Sequence, residues 1–403
     1  MKKTIVFYIA TLTRGGAERV IVNLANYFYR QGYEVYMVTL EPDEGLYPME
    51  DGIKNVVLDQ PQSGNGAVSS RQSGNDAALS GQQPENDAAS GGQLRFFHRI
   101  RAAVGRITKV RRLLRETQAQ ALVSFIGKTN IRAILAGLGT KTKVFVSVRS
   151  APEREYAGAL WRLLAKCLFC FADGIIFQSE GAKAFFPEPV RKKSRILYNP
   201  LSPEYVREPY RGERRDEIIT VGRMDKVKNH ALLIDAFAIV AKEKPQMHLT
   251  IYGGGDCMEA IREQVLWLGL NEKVSLPGDT PDIPDKIRDA RLFVLSSDFE
   301  GMPNAVAEAF ALGIPVVSTD CPSGGARALV KDGETGLLVP VRDAQKMAEA
   351  MLRILNEKEL ETRLRKNAYR FSQSLHPDKI NRMWQEFIEG TDKTGKSGLY
   401  GEP

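Results

Sequence analysis

The sequence predicts an α/β protein of two domains, each a parallel sheet covered by helices, with a cleft between them. Apolar strand-like runs alternate with helical patterns along most of the chain, as parallel strands joined by crossover helices require. The alternation falls into two series separated by the turn-rich stretch YNPLSPEYVREPYRGERRD, 198–216. A length of 403 residues exceeds what one small core needs and suits two domains.

The first series opens with TIVFYIATL and a helix from about Ala17 to Gln31. The opening MKKTIVFYIATLTRGG imitates a signal peptide. Its apolar run nevertheless stops at Arg14-Gly15-Gly16 without a small-x-small cleavage site, and it reads as a first buried strand. YEVYMVTL, a basic helix, ALVSFIG, KVFVSVRS, the helical pattern WRLLAKCLFCFADG and GIIFQS follow. The second series runs EIITVGRM, a helix from about Asn229 to Lys242, MHLTIYGGG, a helix from about Cys257 to Leu268, KVSLPG, RLFVLSS, NAVAEAFALG and PVVSTD, then helices to the end. The segment 61–93 belongs to neither series. Within it QSGNGAVSSR, QSGNDAALSG and QQPENDAASG are imperfect copies of a ten-residue unit with almost no large apolar residue, so a disordered surface insertion is expected. The tail, 391–403, is expected to be loose.

Composition narrows the function classes. A hydrophobic share of 43% with 26% charge is that of a soluble globular protein, and no apolar run approaches the length of a membrane span. The net charge of +7 is concentrated between Arg95 and Arg115, where RFFHRIRAAVGRITKVRRLLR holds eight Arg or Lys and no acid. Phe97, Ile100, Val104, Ile107 and Leu114 recur there at helical spacing. This basic amphipathic helix predicts contact with an anionic membrane surface through Arg101, Arg106 and Arg111. No nucleic-acid module surrounds it, so a nucleic-acid partner is not expected. Cys167 and Cys170 form a lone C-x-x-C inside a helical pattern, which predicts two buried thiols in a reducing cytoplasm.

Four motifs carry chemistry. In TLTRGGAERVIVNLANYF, Gly15 and Gly16 lie between the first strand and its helix, where bare backbone and unpaired N–H groups suit an anion. Glu41 closes the second strand where a dinucleotide fold carries its ribose-binding acid, but the loop R-G-G-A-E-R lacks the G-x-G-x-x-G spacing, and an NAD-dependent oxidoreductase is demoted. VGRMDKVKNH places Arg223 and Lys228 past the end of a strand, two fixed cations suited to a diphosphate. IYGGGD, with Gly254 at its centre, also ends a strand and offers a backbone anion nest. In DFEGMPNAVAEAFALGIPVVSTD, Glu300 lies on a turn with Gly301, Met302, Pro303 and Asn304, and Glu308 lies about one turn into the following helix. A carboxylate there, pointing into the cleft, would accept both hydroxyls of a ribose diol.

The stretch from about Ile218 to Val341 resembles the donor-binding domain of glycosyltransferase family 4, through Glu-x7-Glu at Glu300 and Glu308, LGIPVV after it, Arg223 and Lys228 before it, and the distant GGAERV loop. The resemblance covers most of the chain and implies a GT-B architecture: two Rossmann-like domains facing a deep cleft, with a C-terminal helix crossing back to the first. It divides the chain into an acceptor-binding domain 1–199, a linker 200–216, a nucleotide-sugar-binding domain 217–372 and a crossover helix 373–390. It further implies retaining, metal-independent hexosyl transfer from a UDP-linked hexose or N-acetylhexosamine, a co-substrate and not a cofactor. The roles implied are Arg223 and Lys228 on the donor diphosphate, Glu308 on the ribose, Glu300 on the donor sugar, and Gly15 and Gly16 facing the phosphates from across the cleft. Similarity to bacterial N-acetylgalactosaminyl transferases of polyprenyl-diphosphate-linked glycans implies a lipid-linked acceptor and a cytoplasmic protein, peripheral on the inner face of the cell membrane. Where many members carry a cleft histidine this chain has Val148-Arg149-Ser150, and His98, His230, His248 and His376 stand elsewhere, so no catalytic base is named. Arg149 is either a sugar or acceptor contact or a loop anchor. A catalytically dead fold that binds a glycan through the same cleft is the alternative reading.

Overall fold

The computed structural model describes residues 2–13, 15–43, 45, 47–59 and 88–391, with side chains throughout except at 88–99. Strands β1 (Thr4–Tyr8), β2 (Glu34–Thr39), β3 (Lys54–Val57), β4 (Ala121–Phe125), β5 (Lys143–Ser147), β6 (Gly174–Phe177) and β7 (Ser194–Ile196) form a parallel sheet in the order β3-β2-β1-β4-β5-β6-β7. Strands β8 (Arg215–Val221), β9 (His248–Tyr252), β10 (Val274–Gly278), β11 (Ala290–Leu295), β12 (Val316–Thr319) and β13 (Leu337–Val339) form a second parallel sheet, β10-β9-β8-β11-β12-β13. Ile5 pairs with both Val35 and Ala121, and Ile219 with both Thr250 and Phe293, so each sheet reverses its strand order at its first strand. That reversal is where open α/β sheets leave a crevice at their carboxyl ends. TIVFY and ALVSF are buried at every position because helices cover both faces.

In the first domain, helix α1 (Gly16–Arg30) covers one face with Phe28 edge-on to Phe7 of β1. Helices α2 (Ala88–Glu116), α3 (Gly127–Gly137), α4 (Pro152–Glu155) and α5 (Ala159–Leu168) follow. Val110 and Leu114 of α2, Ile131 and Ile134 of α3, and Ala165 of α5 pack on the other face against Val6, Val144 and Val146. The final helix, Pro377–Glu389, returns to this domain as expected of a GT-B chain. Its Trp384 is buried against Phe125, Phe387 meets Phe145, and Glu389 pairs with Lys3 at 2.5 Å. Gly174 makes room for this return, since a Cβ there would fall 2.8 Å from the rings of Phe145 and Phe387.

Several expectations need correction. The segment expected to be disordered, 61–93, falls largely outside the described residues, but α2 already begins at Ala88, so 88–93 are helical. The tail beyond residue 391 also lies outside them. Strands β3, β7 and β13 were not anticipated, because runs as short as KNVV, SRI and LLV carry too little periodicity. Cys167 and Cys170 are exposed, not buried. The helix turns Ala165 and Phe169 to the core and both cysteines to the outside. Among the described residues no helix is long and apolar enough to cross a membrane.

Candidate functional site

A cavity of about 410 Å³ opens at the carboxyl ends of both sheets and is lined by both domains. Other hollows, of about 570 and 730 Å³, lie at the amino end of the second sheet and beside its edge strand β13, and neither is lined by the first domain. Among the described residues no group of His, Cys, Asp or Glu side chains converges as a metal-ligand set.

The second domain supplies the cations. After β8 the chain turns through Gly222 and Arg223, and the Asp225 carboxylate accepts from the Val227 and Lys228 N–H groups at 2.9 and 3.0 Å. That turn aims Lys228 Nζ at Glu300 Oε1, 2.6 Å away, and Ser297 Oγ donates to the same oxygen at 2.7 Å. Lys228 and Glu300 are thus held together on the cavity wall. Arg223 stands at its mouth, largely exposed, with Nε bonded to Asp225 at 3.1 Å. The glycine-rich loop backs onto this turn: a Cβ on Gly253, at φ +123, would sit 2.2 Å from the Gly222 carbonyl oxygen. The Gly254 N–H is already bonded to the Asp279 carboxylate at 3.1 Å.

The first domain contributes a polar floor. Arg149 follows β5, is 6% exposed and lies over the Phe125 ring at 4.7 Å. Its Nη2 donates to Asn199 Oδ1, its Nη1 reaches Ser147 Oγ at 3.5 Å, and its Nε has no partner. Burial lowers its pKa to about 9 against the pull of Glu155 and Glu18. Glu155 clamps the loop beneath, accepting from the N–H groups of Gly127, Arg149 and Ser150 at 2.9, 2.8 and 2.7 Å. Arg154 crosses the cleft to stack on Phe299 at 3.7 Å.

The structure rearranges two sequence-based assignments. The Gly15-Gly16 turn does precede a helix N-terminus, but the Glu18 side chain is folded over Gly15, where a Cβ would lie 2.1 Å from its Oε2. Burial raises the Glu18 pKa, opposed by its hydrogen bonds to the Glu18 and Ala17 N–H groups and by Arg223. Glu308 was expected to point into the cleft. It is 6% exposed, is absent from the cavity wall, and pairs with Arg19 of α1, 289 residues away. Burial disfavours the Arg19 charge and Glu308 more than restores it, so the Arg19 pKa lies above its ordinary value. Tyr205 lies near Glu308, and its pKa is raised by burial first and by the Glu308 charge second.

The loop Gly301–Asn304 is laced to the first domain. A Cβ on Gly301 would fall 2.2 Å from the Arg149 carbonyl oxygen, so only glycine permits this approach. Gln178 Oε1 accepts from the Met302 N–H at 3.3 Å, Asn199 Nδ2 donates to Asn304 Oδ1, and Asn304 Nδ2 reaches the Gly16 carbonyl at 3.5 Å. The Met302 N–H is therefore already occupied. Pro303 caps the helix Asn304–Ala311 and has no N–H to offer.

The structure therefore brings together Gly15, Gly16, Arg149, Arg223, Lys228, Glu300, Gly301, Met302 and Asn304 on one cavity, and leaves Gly254, Pro303 and Glu308 off its lining. Sequence reasoning missed Glu18, Arg19, Glu155, Gln178, Asn199 and Tyr205. Only Glu18 and Arg19 had a signal, their place in the GGAERV phrase. The three arginines expected on a membrane do not share a face. Arg106 pairs with Asp59 at 2.6 Å, Arg111 donates to the Leu135 and Ala136 carbonyls at 2.5 and 3.2 Å, and Arg101 alone is exposed. Steps of five residues turn a helix by about 140°, so such a series spirals around it.

Comparison with known proteins agrees with this geometry. Residues 14–205 match the profile of Glycosyltransferase Family 4, and residues 203–371 that of Glycosyl transferases group 1. A Campylobacter jejuni protein, GalNAc-alpha-(1->4)-GalNAc-alpha-(1->3)-diNAcBac-PP-undecaprenol alpha-1,4-N-acetyl-D-galactosaminyltransferase, is 25% identical over 95% of this chain and 97% of its own. A second from the same organism, N-acetylgalactosamine-N,N'-diacetylbacillosaminyl-diphospho-undecaprenol 4-alpha-N-acetylgalactosaminyltransferase, is 29% identical over 70% of this chain and 80% of its own. Among solved structures, HepE of Anabaena in complex with UDP superposes with a TM-score of 0.75 at 19% identity, over 97% of this chain and 100% of that one.

Proposed function

Because the chain belongs to the family 4 glycosyltransferases, with a group 1 domain as its second half, we propose that it moves a sugar, with retention, from a UDP-linked hexose or N-acetylhexosamine to a polyprenyl-diphosphate-linked glycan. The two Campylobacter jejuni relatives act by name on undecaprenol-linked glycans, and HepE was solved with UDP. The observation that carries the reading is the Lys228–Glu300 pair, 2.6 Å apart on the wall of a cavity shared by both domains.

In this reading Arg223 and Lys228 take the donor diphosphate and Glu300 a donor-sugar hydroxyl. The bond from the anomeric carbon to the phosphate breaks as the acceptor oxygen bonds to the same face. The departing phosphate oxygen takes the acceptor proton, and the two cations neutralise the charge it develops. Fixed cations thus serve where a divalent ion serves elsewhere, and catalysis is positioning and electrostatics. Arg149, buried without a bonded carboxylate, is the first domain's anion contact for an acceptor phosphate. Residues 1–199 are then the acceptor domain and 217–372 the donor domain, with the protein peripheral on the cytoplasmic face of a membrane.

Thermal unfolding with UDP, GDP, ADP and NAD, on wild type and on Lys228→Met, tests this. A ligand at a hundred times its dissociation constant adds about 2.7 kcal/mol of stability. UDP should stabilise the wild type and lose its effect in the variant. Stabilisation by NAD alone, or by none of them, overturns the reading. UDP binding without transfer to any polyprenyl-diphosphate glycan leaves a binding protein built on a transferase fold.

A further inference from the structure

Helices α2, α3 and α5 form one layer over the first sheet, and the outer surface of that layer is apolar in an unusual degree. Nine large apolar side chains are exposed among the described residues, and six of them, Ile100, Val104, Leu138, Leu160, Leu163 and Phe171, stand on this layer. Scattered exposed apolar residues need no explanation, whereas a concentration on one face does.

The densest part is α5. Ala165 and Phe169 face the core, while Leu160, Leu163 and Cys167 follow one outward stripe that Phe171 continues just past the helix. Leu160, Leu163 and Phe171 are 65, 60 and 61% exposed. Exposed Arg162 and Lys166 flank the stripe, and there is no Asp or Glu from Ala159 to Phe171. In the same layer, on the far side of α3, the exposed residues of α2 include Arg101, Arg112 and Arg115 with Ile100 and Val104, and there is no acid between Arg95 and Arg115. An apolar stripe edged by cations of one sign complements an anionic lipid surface. It does not complement itself, since a two-fold contact would set these cations against one another.

We propose that α5 docks this protein on anionic bilayers, with Leu160, Leu163 and Phe171 entering the boundary between head groups and acyl chains, and Arg162, Lys166 and the exposed arginines of α2 lying on lipid phosphates. The contact surface is thus centred on α5, which supplies its densest apolar part, with the cations of α2 at the other edge of the layer. Its purpose rests on the lipid-linked acceptor reading. The short α4, whose Arg154 and Glu155 line the cavity, leads directly into α5, so docking by this face holds the cavity close to the bilayer.

The test is co-sedimentation of the full chain with vesicles of phosphatidylglycerol and phosphatidylethanolamine, against vesicles of phosphatidylcholine alone, at low and high salt. Wild type is compared with L160S/L163S/F171S and with R162E/K166E. The wild type should bind only the anionic vesicles. The apolar variant should lose about tenfold or more in partition, and the charge variant should bind the anionic vesicles more weakly with a shallower salt dependence. Both variants should keep the UDP-induced thermal shift, showing an intact fold and donor site. Wild type that ignores anionic vesicles, or an apolar variant that binds like wild type, overturns the proposal. So does a wild-type dimer that the apolar variant dissociates with no change in vesicle binding, which would make the face a contact between copies. A missing UDP shift in wild type would sink the transferase reading and leave the vesicle result to stand by itself.

Discussion

The ion pair between Arg19 and Glu308 offers the sharpest prediction about how the domains are held. The side chains are 24% and 7% exposed, and they join α1 of the first domain to the helix Asn304–Ala311 of the second. Arg19→Met leaves a buried carboxylate without its cation. Breaking a buried pair from one side costs about 3–5 kcal/mol, and the partial exposure of Arg19 places the loss near 3 kcal/mol. Glu308→Leu should cost a comparable amount by stranding the guanidinium. The double substitution removes both charges and should cost less than either single one, with a coupling of roughly 2 kcal/mol or more. Urea unfolding of the full chain measures it, followed by tryptophan fluorescence, to which Trp384, buried at the junction of the final helix and the first sheet, contributes. Additivity within about 0.5 kcal/mol would refute the argument. The same variants bear on the donor site. If Glu308 also receives a ribose diol, wild type prefers UDP to 2′-deoxy-UDP and Glu308→Leu abolishes that preference.

Two further outcomes follow from buried charge. His230 is 3% exposed, its Nδ1 has no partner, and burial lowers its pKa from 6.5 to about 4. Between those values the unfolded chain binds a proton that the fold refuses, so stability falls as pH drops from 6.5 towards 4. The loss is up to about 3 kcal/mol and is complete below that window. His230→Leu should flatten this part of the stability profile, and an unchanged slope would discount His230 as its source. Arg149→Met removes a buried charge that lacks a bonded carboxylate. Unfolding stability should be unchanged or higher while transfer falls about a hundredfold; a destabilised variant with full transfer would make Arg149 a structural anchor.

The sequence by itself determined the architecture and the cation loop, because both are written in local patterns. Strands buried on two faces must read as apolar runs, and crossover helices must separate them. A turn that aims Lys228 at Glu300 needs Gly222 and Asp225 close by in the chain, and residues 222–228 hold both. Local patterns fail where a choice depends on what lies opposite. Helix α5 has apolar residues on two roughly opposite sides, at Ala165 and at Leu163 with Cys167, so periodicity gave no ground for burying the first while leaving the others outside; the position of the sheet made that choice. The one-signed charge of α2 concealed that Arg106 and Arg111 turn inward, to Asp59 and to the end of α3. The partners of Glu308 and Asn304 come from residues 289 and 105 positions away, and only the meeting of two domains could set them. Spacing along the chain decides which residues share a turn or a face; which distant groups neutralise or cover one another is settled only when the sheets face each other and water leaves the space between them.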